Sequence, residues 1–238
     1  MARLGAAAEQ EMPTGLLRME AEGRPKRDCF VYVPKAHDKA KRYPLVVVLH
    51  PAGVKGANFV RTWGDTADRT GAFIVAGPEC KDAQKRAWTL ADEKDLIDTI
   101  KKVANTFNVD STRILLTGFS QGGVYTYTFG LRNPAVFRAI APLSGALVAG
   151  PTPETQAILE KARGMAAYIV HGAADTTIPV QRARVSRDIL EKAGLAVTYR
   201  EVAEVGHLPP VGELDRIWAW FAALTTEAKE PKGEVKKN

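Results

Sequence analysis

Arg113-Ile114-Leu115-Leu116-Thr117-Gly118-Phe119-Ser120-Gln121-Gly122-Gly123-Val124 is the stretch of sequence on which the fold turns. The apolar run 113–117 reads as a strand covered on both faces, because a half-exposed strand would alternate polar with apolar residues. Residues 122–132 read as a helix. Between them lies Gly118-Phe119-Ser120-Gln121-Gly122, a G-x-S-x-G pattern in a strand–turn–helix setting. So sharp a turn needs residues without Cβ beside the serine, and Gly118 and Gly122 meet that need. The turn lifts the Ser120 hydroxyl to a helix N-terminus, where developing negative charge is favoured.

The same alternation extends in both directions. Short β-branched runs at 29–33, 45–49, 72–76, 138–143, 167–171 and 196–202 predict strands, with a weaker edge strand at 16–21. Amphipathic stretches lie between them. Leu96, Ile97, Ile100, Val103, Ala104 and Phe107 share one stripe, with Asp98, Lys101 and Lys102 opposite. Further helices are predicted at 59–70, 122–132, 155–162, 181–193 and 212–224, with Gly194 as a C-terminal stop. Strands alternating with helices imply an α/β fold with a mostly parallel sheet. No repeat or linker divides the core, so one domain is expected over 14–225, between mobile tails at 1–13 and 226–238.

Composition narrows the function classes. The chain has 238 residues, 45 % hydrophobic and 25 % charged, which suits a globular protein with a full core. Its net charge of +6 is scattered and interleaved with acids, as in Asp92-Glu93-Lys94-Asp95. A nucleic-acid binder concentrates its charge, so no nucleic-acid partner is expected. No apolar run reaches the roughly 20 residues that cross a bilayer, so no membrane partner is expected either. Residues 1–10 lack the apolar core of a secretory signal. That leaves a cytoplasmic protein and a mature secreted form both open. No metal-ligand pattern and no cofactor motif occurs, so neither is implied.

A serine hydroxyl needs a base, and the base an orienting acid. In this architecture the order along the chain is Ser, then Asp or Glu, then His. Asp175 follows the strand 167–171 by a short loop, and His207 lies in Val205-Gly206-His207-Leu208 after the last strand. Both fall at the sheet edge where Ser120 sits. Glu201 and Glu204 are rival acids near the final strand. Of the other histidines, His37 lies in a charged loop, His50 precedes Ser120, and His171 is placed to hold local backbone. Two backbone N–H groups should face a tetrahedral oxyanion. One comes from Gln121. The other comes from His50-Pro51-Ala52-Gly53, where Pro51 has no N–H, which leaves Ala52 first and Gly53 as the fallback.

With these motifs in hand, the chain resembles the α/β-hydrolase superfamily over roughly 27–224. It is most similar to the lid-poor branch of carboxylesterases, phospholipase/carboxylesterase-type enzymes, and polyhydroxyalkanoate-depolymerase and feruloyl-esterase-like proteins. The resemblance rests on Leu49-His50-Pro51-Ala52-Gly53, 118–123, His171-Gly172 with Asp175, and Gly206-His207. It implies a mostly parallel sheet of about eight strands flanked by helices, and a cofactor-free Ser120–His207–Asp175 triad. One departure is Pro51, where the family usually has glycine. The family's strand order also puts Cys29 near Cys80, as either a disulfide or two free buried thiols.

Residues 144–164 leave room for only a short loop and about two helical turns, too little for a lid domain. An open site follows, suited to short or aromatic acyl esters, small or polymer-borne. Trp88 is either an apolar wall of that site or a residue packing its loop, whereas Trp63, Trp218 and Trp220 fall on helices and are expected in the core. Thioester or acyl-peptide hydrolysis by the same triad is the alternative chemistry, and a non-catalytic binding module the alternative class.

Overall fold

The computed structural model describes residues 13–148, 150, 152–208 and 211–224. The expected tails at 1–13 and 226–238 lie almost wholly outside the described residues.

Eight strands form one sheet: β1 (Gly15–Glu20), β2 (Asp28–Val33), β3 (Tyr43–Leu49), β4 (Ile74–Pro78), β5 (Val109–Phe119), β6 (Ala139–Leu143), β7 (Ala166–Gly172) and β8 (Ala196–Val202). Their order is β1-β2-β4-β3-β5-β6-β7-β8. β2 runs antiparallel to both β1 and β4, and every other pairing is parallel. The helices are α1 (Gly56–Thr70), α2 (Glu93–Thr106), α3 (Gln121–Arg132), α4 (Pro153–Lys161), α5 (Val180–Lys192) and α6 (Leu214–Ala223). This is the α/β-hydrolase architecture that the sequence predicts.

The pleat explains the two layers. Along β3, Leu45, Val47 and Leu49 join the core under α2, α3 and α5, while Val46 and Val48 point the other way, toward α1 and α6. All seven β3 residues are buried, so the strand carries no polar face. Phe59, Val60, Trp63 and Ala67 of α1 pack with Ile217, Trp218 and Phe221 of α6 on one side. Trp63 and Trp218 are in the core as expected, and Trp220 packs half-buried against it.

Differences from the predicted elements are local. β4 is displaced toward its C-terminus and β5 starts at Val109, because Tyr43 pairs with Val109 ahead of a register shift. α1 begins at Gly56 rather than 59, its first N–H being capped by Glu79 Oε1 at 2.7 Å. That partner lies 23 residues away in sequence and leaves no local signal. Between β6 and β7 the described residues hold only α4, none of whose residues is fully buried, and among the described residues no large lid covers the sheet edge. Cys29 and Cys80 are both buried and free, so the disulfide reading is replaced by two free thiols.

Candidate active site

The β5–α3 junction is tight. Ser120 has φ 57° and ψ −119°, a conformation that costs a non-glycine residue roughly 1–3 kcal/mol. Its N–H donates to the Leu143 carbonyl at 3.0 Å, and its own carbonyl accepts from Val124 N at 3.0 Å. The flanking glycines permit the turn. A Cβ on Gly118 would come within 2.5 Å of the Gly122 carbonyl oxygen, and one on Gly122 would run into the carbonyl oxygen of Leu49. The elbow is therefore pressed directly against the end of β3.

His207 arrives from the turn after β8. Its Nε2 lies 2.8 Å from Ser120 Oγ, and its Nδ1 lies 2.7 Å from Asp175 Oδ2. A carboxylate accepts, so Nδ1 carries the proton and Nε2 is left bare to accept from the serine hydroxyl. The imidazole rests on the Phe119 ring, with centroids 5.0 Å apart. The loops that carry the acid and the histidine are joined by backbone bonds, Ala173 N to Val202 O at 2.9 Å and Ala174 N to Val205 O at 3.0 Å.

Asp175 is buried at the end of β7. Its Oδ1 accepts from Thr177 N at 2.9 Å and Ile178 N at 2.8 Å. Burial alone would raise its pKa. The hydrogen bond from His207 and those from the two amides outweigh it and hold the carboxyl below its ordinary range, hence ionised. His171, fully buried, sits behind the acid: its Nε2 is 2.7 Å from the Ile178 carbonyl and 3.3 Å from Asp175 Oδ2. A carbonyl can only accept, so Nε2 carries the proton. Nδ1 is buried with no partner among the described residues. The rival acids stand elsewhere: Glu201 binds Arg184 through both oxygens at 2.7 and 2.9 Å, and Glu204 is exposed.

The loop 50–53, where the second oxyanion donor is expected, is organised from beneath. Gly53 N–H is shared between the carbonyls of Lys85 and Arg86, each at 3.2 Å. It is thus engaged, which removes the fallback donor. Ala52 is exposed, and its N–H and that of Gln121 take no partner among the described residues. His50 is fully buried; Nδ1 donates to the Pro51 carbonyl at 2.9 Å and Nε2 lies 3.6 Å from Glu79 Oε2. Burial pushes the His50 pKa down, against the Pro51 carbonyl and Glu79, which act to raise it.

Trp88 takes the packing place of its two expected readings. It is 2 % exposed, and its Nε1 donates to the His50 carbonyl at 2.8 Å. Its ring lies 4.9 Å from His50 and 6.2 Å from Phe129, so it backs the loop 50–53 and offers no wall to solvent. His37, in its charged loop, is half-buried and stacked on Tyr43 at 4.7 Å. Sequence reasoning missed the Gln121 side chain, whose Oε1 accepts Trp88 N at 2.9 Å, and it missed Glu79. Both join segments distant in sequence, and no local pattern announces such contacts.

The phospholipase/carboxylesterase family model matches residues 78–225. Among curated proteins, the bifunctional acetylxylan esterase/xylanase of Neocallimastix patriciarum is 30 % identical over 165 residues, covering 66 % of this chain and 22 % of that protein. Feruloyl esterase C of Emericella nidulans is 29 % identical over 164 residues, covering 65 % of this chain and 57 % of that protein. The chain thus spans little more than half the length of such relatives, or less. Among solved structures, a thermostable esterase superposes with a TM-score of 0.72 at 22 % identity, over 87 % of this chain and 62 % of that one. The acetyl xylan esterase from Aspergillus awamori superposes with a TM-score of 0.71 at 17 % identity, over 87 % and 100 %. Such identities speak for the fold alone, whereas the family match covers more than half of the chain, and the chain belongs to the phospholipase/carboxylesterase family of α/β-hydrolases.

Proposed function

We propose that this protein is a cofactor-free serine esterase that cleaves short-chain or aromatic acyl esters through an acyl-enzyme, with Ser120, His207 and Asp175 as its triad. The observation that carries the reading is the unbroken relay, 2.8 Å from Ser120 Oγ to His207 Nε2 and 2.7 Å from His207 Nδ1 to Asp175 Oδ2.

His207 Nε2 takes the hydroxyl proton as Ser120 Oγ bonds to the ester carbonyl carbon. Asp175 stabilises the imidazolium without taking its proton. The carbonyl oxygen becomes an oxyanion facing the N–H groups of Gln121 and Ala52. Each such donor contributes on the order of 3–4 kcal/mol to the transition state. Collapse breaks the bond to the alcohol, which leaves with the proton from His207. Water then repeats the sequence, giving up a proton to His207 and releasing the acid from Ser120. The strained elbow holds Oγ in place before substrate arrives, so no reorganisation is needed at the moment of attack.

The lid-free edge supports small esters and chains presented by a polymer alike, and relatives named for feruloyl and acetylxylan ester hydrolysis support the same substrate range. A panel of short-acyl, long-acyl, feruloyl and polyester oxygen esters, run beside thioesters and amides, tests the assignment. Short or aromatic oxygen esters should be turned over fastest. Faster turnover of thioesters or amides would replace the reading.

A further inference from the structure

On the side of Ser120 away from His207 the sheet continues through β3, β4, β2 and β1. A cleft of about 330 Å³ opens there, at the end of β4 and the start of β2, with Arg18, Arg27, Phe30, Lys55, Glu79 and Arg86 among its walls. A second hollow of about 440 Å³ lies along β1 and shares Arg18, Lys26, Arg27 and Asp28 with the first. Strands in a sheet are spaced about 4.8 Å apart, so this groove begins roughly 10 Å from the nucleophile's strand and ends roughly 20 Å away.

Most charges in the groove are matched. Arg18 pairs with Asp28 at 2.8 Å and Lys26 with Glu20 at 3.1 Å. The Arg27 side chain is only 6 % exposed and is bound to Asp95 at 2.9 Å and Asp92 at 3.5 Å. The Glu79 carboxylate is occupied by Gly56 N and faces His50. Two cations stand apart. Lys55 is exposed and Arg86 half-buried, and neither side chain has a partner among the described residues. Both lie at the end of the groove nearest Ser120. Lys55 follows the oxyanion loop by two residues, and Arg86, at φ 47°, offers the carbonyl that shares Gly53 N–H. The Arg86 guanidinium presents a planar fork of donors suited to a carboxylate, and Lys55 adds a second positive charge to the same wall.

We propose that Lys55 and Arg86 form an anion subsite, and that the substrate is an ester on an acidic saccharide chain whose carboxylate sits there while the ester reaches Ser120. The proposal rests on the esterase reading above and sharpens it. Phe30 in the same wall gives the sugar faces an apolar surface.

The test compares kcat/KM for two acetylated xylo-oligosaccharides of equal length, one neutral and one with a uronic acid branch, in the full-length protein. The acidic substrate should be preferred by about tenfold at low salt, a size suited to two partly exposed charges. Ionic strength of about 1 M should erase most of that preference. The double variant Lys55→Gln, Arg86→Gln should bring the ratio of the two substrates to near one. Equal kcat/KM in the unaltered protein, or a ratio untouched by the double variant, overturns the subsite. A second arm needs no turnover: calorimetry on Ser120→Ala should detect the de-esterified acidic oligosaccharide and not the neutral one, and the Lys55 and Arg86 substitutions should abolish the difference. A sulfated oligosaccharide bound in preference to the carboxylated one would contradict the assignment of the anion. Failure to hydrolyse p-nitrophenyl acetate would defeat the esterase reading while leaving the binding arm to judge the subsite.

Discussion

Gln121 Oε1 accepts the backbone N–H of Trp88 at 2.9 Å, and Trp88 Nε1 in turn donates to the carbonyl of His50 at 2.8 Å. One residue therefore does two things. Its backbone N–H is the proposed oxyanion donor, while its side chain holds the segment that backs the loop 50–53. The two halves of the proposed hole are mechanically joined through Trp88.

Gln121→Ala keeps the amide and removes the tie. A buried N–H left without an acceptor costs about 1–3 kcal/mol, so the segment should relax. The expected result is a fall of about tenfold in kcat for p-nitrophenyl acetate, with KM changing less. Trp88→Phe, which keeps a ring but loses the indole N–H, should lower kcat in the same direction. Steady-state kinetics on both variants, with circular dichroism as a control for folding, check the link.

Asp175→Asn should be far more damaging. The amide would turn an NH₂ toward His207 or force the wrong tautomer, leaving no base for Ser120. A loss of kcat on the order of 10³–10⁴ is expected, with substrate binding largely retained. Pre-steady-state measurement should show the loss in the acylation step.

His171 touches no substrate, yet it donates to the Ile178 carbonyl and stands 3.3 Å from Asp175 Oδ2. It is a positioning residue for the acid. His171→Phe removes the donor and should lower kcat by about 10- to 100-fold through small displacements of Asp175 and His207. KM should stay near its original value. His171→Gln, which can still donate, should recover part of the loss, whereas a purely space-filling role would be served better by Phe.

Glu201 offers a pH test away from the site. Hydrogen bonds from Arg184 and then Tyr199 lower its pKa from 4.5 to about 2. A depressed carboxylate stabilises the fold above its unfolded value, and that contribution is lost as pH falls through the folded one. The gap in Tm between the unaltered protein and Glu201→Gln should therefore be constant above pH 5 and close between about 4.5 and 2. Because the Glu201 side chain is 27 % exposed and its Arg184 partner 46 %, the gap should be small and should shrink in salt.

Among the described residues, all eight strands and all six α-helices are legible in the sequence, because the β-branched runs and the 3.6-residue stripes are strong local signals. Ser120, Asp175 and His207 could be proposed together because the elbow pattern is local and the chain order of the other two follows from the sheet, and the structure brings the three within hydrogen-bond distance. What escaped were contacts between segments distant in sequence, such as Glu79 capping α1 and Gln121 holding Trp88. Trp88 shows the limit well. Its composition suits a wall or a packing residue equally, and only the approach of the His50 carbonyl decides between them. The cysteines needed distance as well as adjacency, which strand order alone does not supply.

Reaction with a fluorophosphonate probe, followed by peptide mapping, tests the central claim most directly. One equivalent of phosphonate should attach to Ser120, with hydrolysis of p-nitrophenyl acetate lost in step with labelling, and Ser120→Ala should neither label nor turn over the ester. Ester hydrolysis surviving intact in Ser120→Ala, or stoichiometric labelling at another residue, would contradict the account.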